Sequence, residues 1–356
     1  MARQLANGLA ARGYEVTTIA GRTVSPLSKS DAAIEQLRVP CLTFTKPPAR
    51  WLRFIRADLP LLAQCRTFLA FCRANAGVFQ RILDCDVTVT FLEPETVAVS
   101  RWRGTRGLPN ISYFPGAIRS SRLRRDLSVV RLAASHALAA HYHRRPEIPI
   151  HGVLYPGIEF DPTAMPRQIR ERAVRAVFVG RLEANKGIGM LLEIARECAA
   201  HQVEIELRLI GDGPMRKVVA REAARLKAPA RIVSLGSMTS SEVQRELAAA
   251  DLFIFPSQYE SFGIVVLEAL AAGLPIVCSD LPALREVAGE AALFVPVNST
   301  AAWIATTRRL LEDADARRRL SDHAQKRARR FDLQATIDTL EGHIKEALDH
   351  SAAART

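Results

Sequence analysis

At 356 residues the chain is long enough for two domains of ordinary size, and its 48% hydrophobic content with few aromatics excludes a disordered protein. Lys and Arg number 49 against 37 Asp and Glu, a balance of +12 that favours acidic partners: nucleotides, anionic lipid headgroups or nucleic acid. Nucleic acid is the poorest of the three, because no helix-turn-helix, zinc spacing or aromatic-studded basic sheet is present. Cys41, Cys65, Cys72, Cys85, Cys198 and Cys278 form no CxxC pair, and they read as reduced core cysteines of a cytosolic protein. No apolar run approaches the ~18 residues of a membrane span, and no signal-peptide core is seen. Contact with a membrane is therefore expected only peripherally, at the inner face.

The chain opens on a helix over 2–12, with Leu5, Ala6 and Leu9 on one face and Gly13 as its stop. Tyr14 to Ala20 reads as a strand, and a short strand is expected at Leu37–Val39. A parallel sheet usually opens with a strand and a Gly-rich loop ahead of such a helix, and that strand is missing before Ala2. Residues 51–83 are helical in pattern. Trp51-Leu52-Arg53-Phe54-Ile55-Arg56 mixes apolar and basic residues, as an interfacial membrane helix would; the alternative is a core-facing helix with solvated Arg residues. With the basic run Arg119, Arg122, Arg124 and Arg125, this stretch is expected to contact an anionic membrane surface.

Four more strands are expected at Asp86–Phe91, Asn110–Phe114, Val129–Ala134 and Ile150–Tyr155. Alternation with helical or loop segments implies a parallel sheet covered on both faces. Tyr155-Pro156-Gly157 breaks the pattern, which then restarts more cleanly. Strands are expected at 176–179, 205–210, 231–235, 252–255, 276–279 and 292–295, with helices at 188–200, 214–227, 240–249 and 263–272. Residues 300–329 and 333–350 are helical and Arg-rich. The expected organisation is an N-terminal Rossmann-like domain at 1–160, a linker at 161–172, a second Rossmann-like domain at 173–332, and a final helical segment at 333–356.

Ligands of open α/β sheets bind outside the carboxyl ends of the strands. Three strand ends in the second domain carry unusual residues. Gly180-Arg181-Leu182 through Lys186-Gly187 places two cations after a strand, suited to a diphosphate. Gly211-Asp212-Gly213-Pro214 is a tight turn with Pro at the helix start, read as mainly structural. Tyr259-Glu260-Ser261-Phe262-Gly263 leads into a helix that contains Glu268 and ends at Gly273 and Pro275. The helix start suits an anion, and Gly263 allows close backbone approach. Glu268 has apolar neighbours in sequence and needs a partner. Ribose hydroxyls fit; so does a buried Arg. Asp84-Cys85-Asp86 has the look of a metal-nucleotide site but lies at the wrong end of a strand. His136, His141, His143 and His151 have no metal spacing, and His141-Tyr142-His143 reads as surface.

With these residues, the chain resembles the retaining nucleotide-sugar glycosyltransferases of family 4, glycosyl transferases group 1, which have the GT-B fold. The markers are Glu260 and Glu268 at their spacing, the 180–187 loop, Gly211-Asp212-Gly213-Pro214, and Ala271-Ala272-Gly273-Leu274-Pro275-Ile276-Val277. The resemblance implies two Rossmann-like doubly wound domains facing across a cleft, with the acceptor on the N-terminal side and the donor on the C-terminal side. It implies a last helix that crosses back to the N-terminal domain.

By position, Arg181 and Lys186 would hold the donor diphosphate, Glu260 the transferred sugar and Glu268 the ribose. Gly180 would belong to the donor loop, the Ser261-Phe262-Gly263 backbone would contact sugar hydroxyls and phosphate, and Gly236 and Met238 would border the base. The catalytic set implied is Glu260, Arg181 and Lys186, without metal or cofactor. The partners implied are a nucleotide-diphosphate sugar as donor and a glycan or lipid-linked acceptor, in polysaccharide or glycolipid synthesis. The His that many members carry after a central N-domain strand is absent from Ser112-Tyr113-Phe114-Pro115-Gly116. A nucleotide-sugar-binding protein without turnover is the alternative reading, and a basic nucleic-acid binder is the third.

Overall fold

The structure, a computed structural model, describes residues 2–21, 35–39, 84–91, 108–116, 130–143, 149–160, 168–171 and 175–353. The chain forms two units: Met1–Gly157 together with Leu333–Thr356, and Ile158–Asp332. Trp51 to Arg56 and the arginines 119, 122, 124 and 125 lie outside the described residues, as do Cys41, Cys65 and Cys72.

In the first unit, helix α1 (Ala2–Ala11) buries Leu5, Ala6 and Leu9, the face its spacing predicts. Strand β1 (Thr17–Gly21) pairs in parallel with β2 (Glu35–Val39). A four-stranded parallel sheet runs in the order β3 (Thr88–Thr90), β4 (Asn110–Phe114), β5 (Val130–Ala133), β6 (Gly152–Val153). Asp84-Cys85-Asp86 precedes the start of β3, away from the carboxyl ends of the strands. His141-Tyr142-His143 corrects the sequence reading. These residues end helix α2 (His136–His143), and the helical period turns Tyr142 fully inward while both histidines stay exposed. The Tyr142 hydroxyl donates to the carbonyl of Gly116 at 2.7 Å.

The C-terminal helix Leu333–Ala353 belongs to this unit and buries Ile337, Leu340 and Ile344. Its Glu341 accepts from Arg12 at 2.6 Å and from the Tyr14 hydroxyl at 3.2 Å, and pairs with Lys345 at 2.8 Å.

The second unit holds six parallel strands: β7 (Arg175–Val179), β8 (Ile205–Ile210), β9 (Ala230–Gly236), β10 (Leu252–Phe255), β11 (Ile276–Ser279) and β12 (Ala292–Val295). Their order across the sheet is β12-β11-β10-β7-β8-β9. β7, β10, β11 and β12 are largely apolar runs because both faces are covered, whereas β8 and β9 carry Glu206 paired with Arg208 and Arg231. Phe178 of β7 stacks on Phe255 of β10 at 5.9 Å. The connections carry α3 (Ile188–Ala200), α4 (Arg216–Arg225), α5 (Ser240–Ala249), α6 (Ile264–Ala271) and α7 (Pro282–Ala288). Thr239 and Glu242 form a capping box at the start of α5. Pro214 stands two residues before α4, not at its first position, so the helix begins two residues later than the expected start at 214.

The stretch 300–329 is two helices, α8 (Thr300–Glu312) and α9 (Ala314–Ala328). The break has a cause. Asp313 turns its side chain to accept from the Ala316 N–H at 2.8 Å, and buried Arg317 donates to the carbonyls of Leu310 and Leu311 that end α8. Cys198 and Cys278 are buried; burial pushes the Cys198 thiol up to about 11 and raises that of Cys278 as well, which leaves both inert at neutral pH. Among the described residues, no helix is long and apolar enough to cross a membrane.

Candidate functional site

The strand order of the second unit fixes where a crevice opens. From β7 the chain steps to β8 and β9 on one side, then returns to place β10 on the other side of β7. Leu252 pairs with Ala176 and Phe253 with Val177. The connections leaving β7 and β10 therefore diverge at their carboxyl ends, which is the topological switch point where open sheets bind ligands. The two loops at this point are 180–187 and 256–263.

These loops are bound to each other by their backbones. Gln258 N–H donates to the carbonyl of Asn185 at 2.8 Å; within the second loop the Ser257 hydroxyl donates to the carbonyl of Tyr259 at 3.0 Å. Gly187 has φ +73°, and a Cβ there would lie 2.0 Å from the carbonyl oxygen of Pro256. Only glycine lets the end of the 3-10 turn Ala184–Lys186 approach the other loop so closely. Lys186 and Glu260 meet as a result: Lys186 Nζ donates to Glu260 Oε1 at 2.6 Å, with side-chain exposures of 23% and 12%. The Phe255 ring lies 6.0 Å from the same ammonium.

Arg181 stands at the rim of the 180–187 loop. Its side chain is 71% exposed and forms a long contact with Glu183 at 3.4 Å. Gly180 joins the adjacent strand end, its N–H donating to the carbonyl of Ile210 at 3.0 Å. The Gly211-Asp212-Gly213-Pro214 turn braces this loop from behind: Leu182 N–H donates to the carbonyl of Asp212 at 3.0 Å, and Met215 N–H to that of Leu182 at 2.8 Å. Gly236, at the end of β9, accepts from the Gly211 N–H at 2.7 Å. Met238 follows it, half-buried.

Gly263 begins α6 at φ +94°, and a Cβ there would lie 2.7 Å from Leu284 Cδ2. The Gly263 carbonyl takes the Val266 N–H at 2.9 Å and the Leu267 N–H at 3.2 Å, so the N–H groups that open α6 at Ile264 and Val265 precede its first bond and carry the positive end of its dipole. Ser261 is half-buried, and Phe262 is buried with its ring edge-to-face on Phe331 at 5.7 Å. Tyr259 and Ile264, on either side of the loop's end, are large apolar side chains left exposed.

Glu268 lies in α6 between buried Val266, Leu267, Ala269 and Leu270. Burial holds its carboxyl above the ordinary range. The sequence left open an Arg partner for it; among the described residues no side chain pairs with this carboxylate. The site thus gathers the Lys186–Glu260 ion pair, the exposed Arg181 with its Glu183 contact, the α6 start and the Glu268 carboxylate. Among the described residues, no three His, Cys, Asp or Glu side chains converge as a metal would require.

Sequence reasoning found the charged residues but missed their supports. Ser257, fully buried, and Asn185 hold the two loops together, and Phe331 packs under Phe262. The signal for Ser257 was its place directly after Pro256 at a strand end, a position that favours local hydroxyl-to-backbone bonds. Nothing in sequence linked Phe331 to Phe262.

Residues 164–327 match the family described as glycosyl transferases group 1. The D-inositol 3-phosphate glycosyltransferase of Corynebacterium efficiens is 34% identical over 178 residues, which are 48% of this chain and 42% of that protein. The chain matches less than half the length of curated relatives such as this one.

Among solved structures, the sucrose-phosphate synthase of Thermosynechococcus elongatus superposes with a TM-score of 0.75 at 20% identity, covering 98% of this chain and 93% of that one. HepE of Anabaena, solved in complex with UDP, superposes with a TM-score of 0.65 at 17% identity, covering 76% and 81%. These likenesses establish the fold, two Rossmann-like α/β units of the GT-B class. The residues that match the glycosyl transferases group 1 family, 164–327, hold the whole switch-point site.

Proposed function

We propose that the chain is a retaining glycosyltransferase that moves a sugar from a nucleotide-diphosphate sugar to a glycan or lipid-linked acceptor. The observation that carries this reading is the set of groups gathered at the switch point: the Lys186–Glu260 pair at 2.6 Å, the α6 start, and the Glu268 carboxylate, which no side chain among the described residues pairs with. Each suits a different part of one donor. Lys186, Arg181 and the α6 N–H groups suit a diphosphate. Glu268 suits ribose hydroxyls, which would supply the donors it lacks. Glu260 suits the hydroxyls of the transferred sugar.

The chemistry follows from charge. The bond between the anomeric carbon and the diphosphate oxygen breaks, and negative charge grows on the leaving group. Lys186, Arg181 and the helix start stabilise that charge. The acceptor hydroxyl oxygen bonds to the same face of the anomeric carbon, and its proton passes to the leaving phosphate. Glu260 positions the sugar and supports its oxocarbenium character. The solved relative bound to UDP supports a nucleotide at this fold's donor side.

A thermal-shift screen with UDP, GDP, ADP and their hexose conjugates tests the reading, since a ligand specific to the native state raises its apparent stability. The expected result is a shift with one base, followed by transfer from the matching nucleotide sugar to a glycan or lipid acceptor. Absence of any shift across the panel, with strongly salt-dependent binding to generic DNA, would refute it.

A further inference from the structure

We propose that Lys186 and Glu260 form a latch that makes the site favour an intact nucleotide sugar over the sugar-free nucleoside diphosphate. This latch presupposes the donor site proposed above. Its basis is that the least exposed cation of the site is already held by the site's own carboxylate, at 2.6 Å. Among the described residues, neither side chain has another ionic partner. The backbones that carry them are held together: the Asn185 carbonyl accepts from the Gln258 N–H, and Gly187 packs on the Pro256 carbonyl. Ligand binding must therefore exchange side-chain partners within a fixed frame.

A diphosphate that takes the Lys186 ammonium leaves Glu260 ionised, largely out of water and beside a second anion. An unpaired charge in such a place is strongly disfavoured. An attached sugar removes the conflict, since its hydroxyls donate to the released carboxylate while the phosphates take the ammonium. After transfer the sugar is gone, and Glu260 competes again for Lys186. The pair thereby weakens the hold on the product without weakening the hold on the donor. The two residues lie 74 positions apart, so their mutual neutralisation is a property of the fold.

Calorimetry on the full chain tests this with UDP, GDP and ADP against UDP-glucose, GDP-mannose and ADP-glucose. In the unaltered protein the best-fitting nucleotide sugar should bind at least roughly tenfold tighter than its own nucleoside diphosphate, the scale of one charged hydrogen bond. Glu260→Gln, which cannot hold Lys186 as an ion pair, should tighten diphosphate binding by roughly tenfold and collapse that ratio. Glu260→Asp, with its carboxylate drawn back by one methylene, should shift the same ratio part of the way, and it serves if the first variant fails to fold. Diphosphate affinity that is unchanged or weaker in both variants, in a chain that binds the panel, overturns the latch and leaves the donor site standing. An unaltered chain that binds no member of the panel overturns the donor site, and the latch with it.

Discussion

Glu268→Gln separates a carboxylate kept for a ligand from one kept for the fold. Glu268 is an ionisable group among buried apolar neighbours, with its carboxyl raised by burial and no counter-charge among the described residues. Glutamine keeps the shape and removes the charge. Removing an uncompensated charge of this kind stabilises a domain by roughly 0.5–2 kcal/mol. At roughly 2–4 °C per kcal/mol for a domain of this size, the melting temperature should rise by a few degrees. Nucleoside diphosphate binding should weaken by about 1.5–3 kcal/mol, the worth of hydrogen bonds to a charged group, or roughly 10- to 150-fold in Kd.

The pH dependence has a definite sign. A carboxyl whose folded value is raised contributes stability that is fully present below its ordinary value and is lost as pH rises through the raised one. The stability gap between variant and parent should accordingly widen from acid toward neutral pH. Differential scanning fluorimetry across pH and calorimetry with the nucleoside diphosphate panel read both effects. A variant that melts lower and binds as tightly would show that Glu268 serves the fold, with a partner supplied by protein.

Other perturbations test other links. Lys186→Ala should weaken diphosphate binding by about 1.5–3 kcal/mol, and Arg181→Ala by less, since an exposed cation is screened by water; equal calorimetric effects would contradict the exposures of the two side chains. Gly187→Ala forces a Cβ toward the Pro256 carbonyl at a positive φ, so it should lower the melting temperature and reduce donor binding together. A crystal structure of that variant with the two loops unmoved would defeat the account. Hydrogen bonds from Lys345 and Arg12 hold the Glu341 carboxyl down to about 2, so the stability it gives is present above the ordinary value of 4.5 and is lost as pH falls toward 2. Glu341→Gln should melt below the parent at neutral pH and converge with it in acid; a gap that persists at pH 2 would assign the effect to shape.

Local pattern in the chain was enough to place the elements and most of the charged residues of the site. Period-two and continuous apolar runs placed the six strands of the second unit to within a residue or so at each end, because burial on both faces demands such runs. Glycines marked the helix stops, and Glu260, Glu268, Arg181 and Lys186 stood out as charge at strand ends or in apolar surroundings.

What sequence could not supply was adjacency across the sheet. Local pattern says that β7 and β10 are strands but not that they are neighbours. Only the order β12-β11-β10-β7-β8-β9 makes the switch point and brings Lys186 to Glu260. The same limit explains the open choice at Glu268. Whether a buried carboxylate meets an arginine depends on which distant segments reach it, and among the described residues the packing sends none. Tyr142 marks the converse case, where alternating polar residues suggested a surface and a helical turn carried the ring into the core. Such non-local pairings are decided when loops close and chain entropy is spent to bring remote residues together, and no short stretch of sequence encodes that closure.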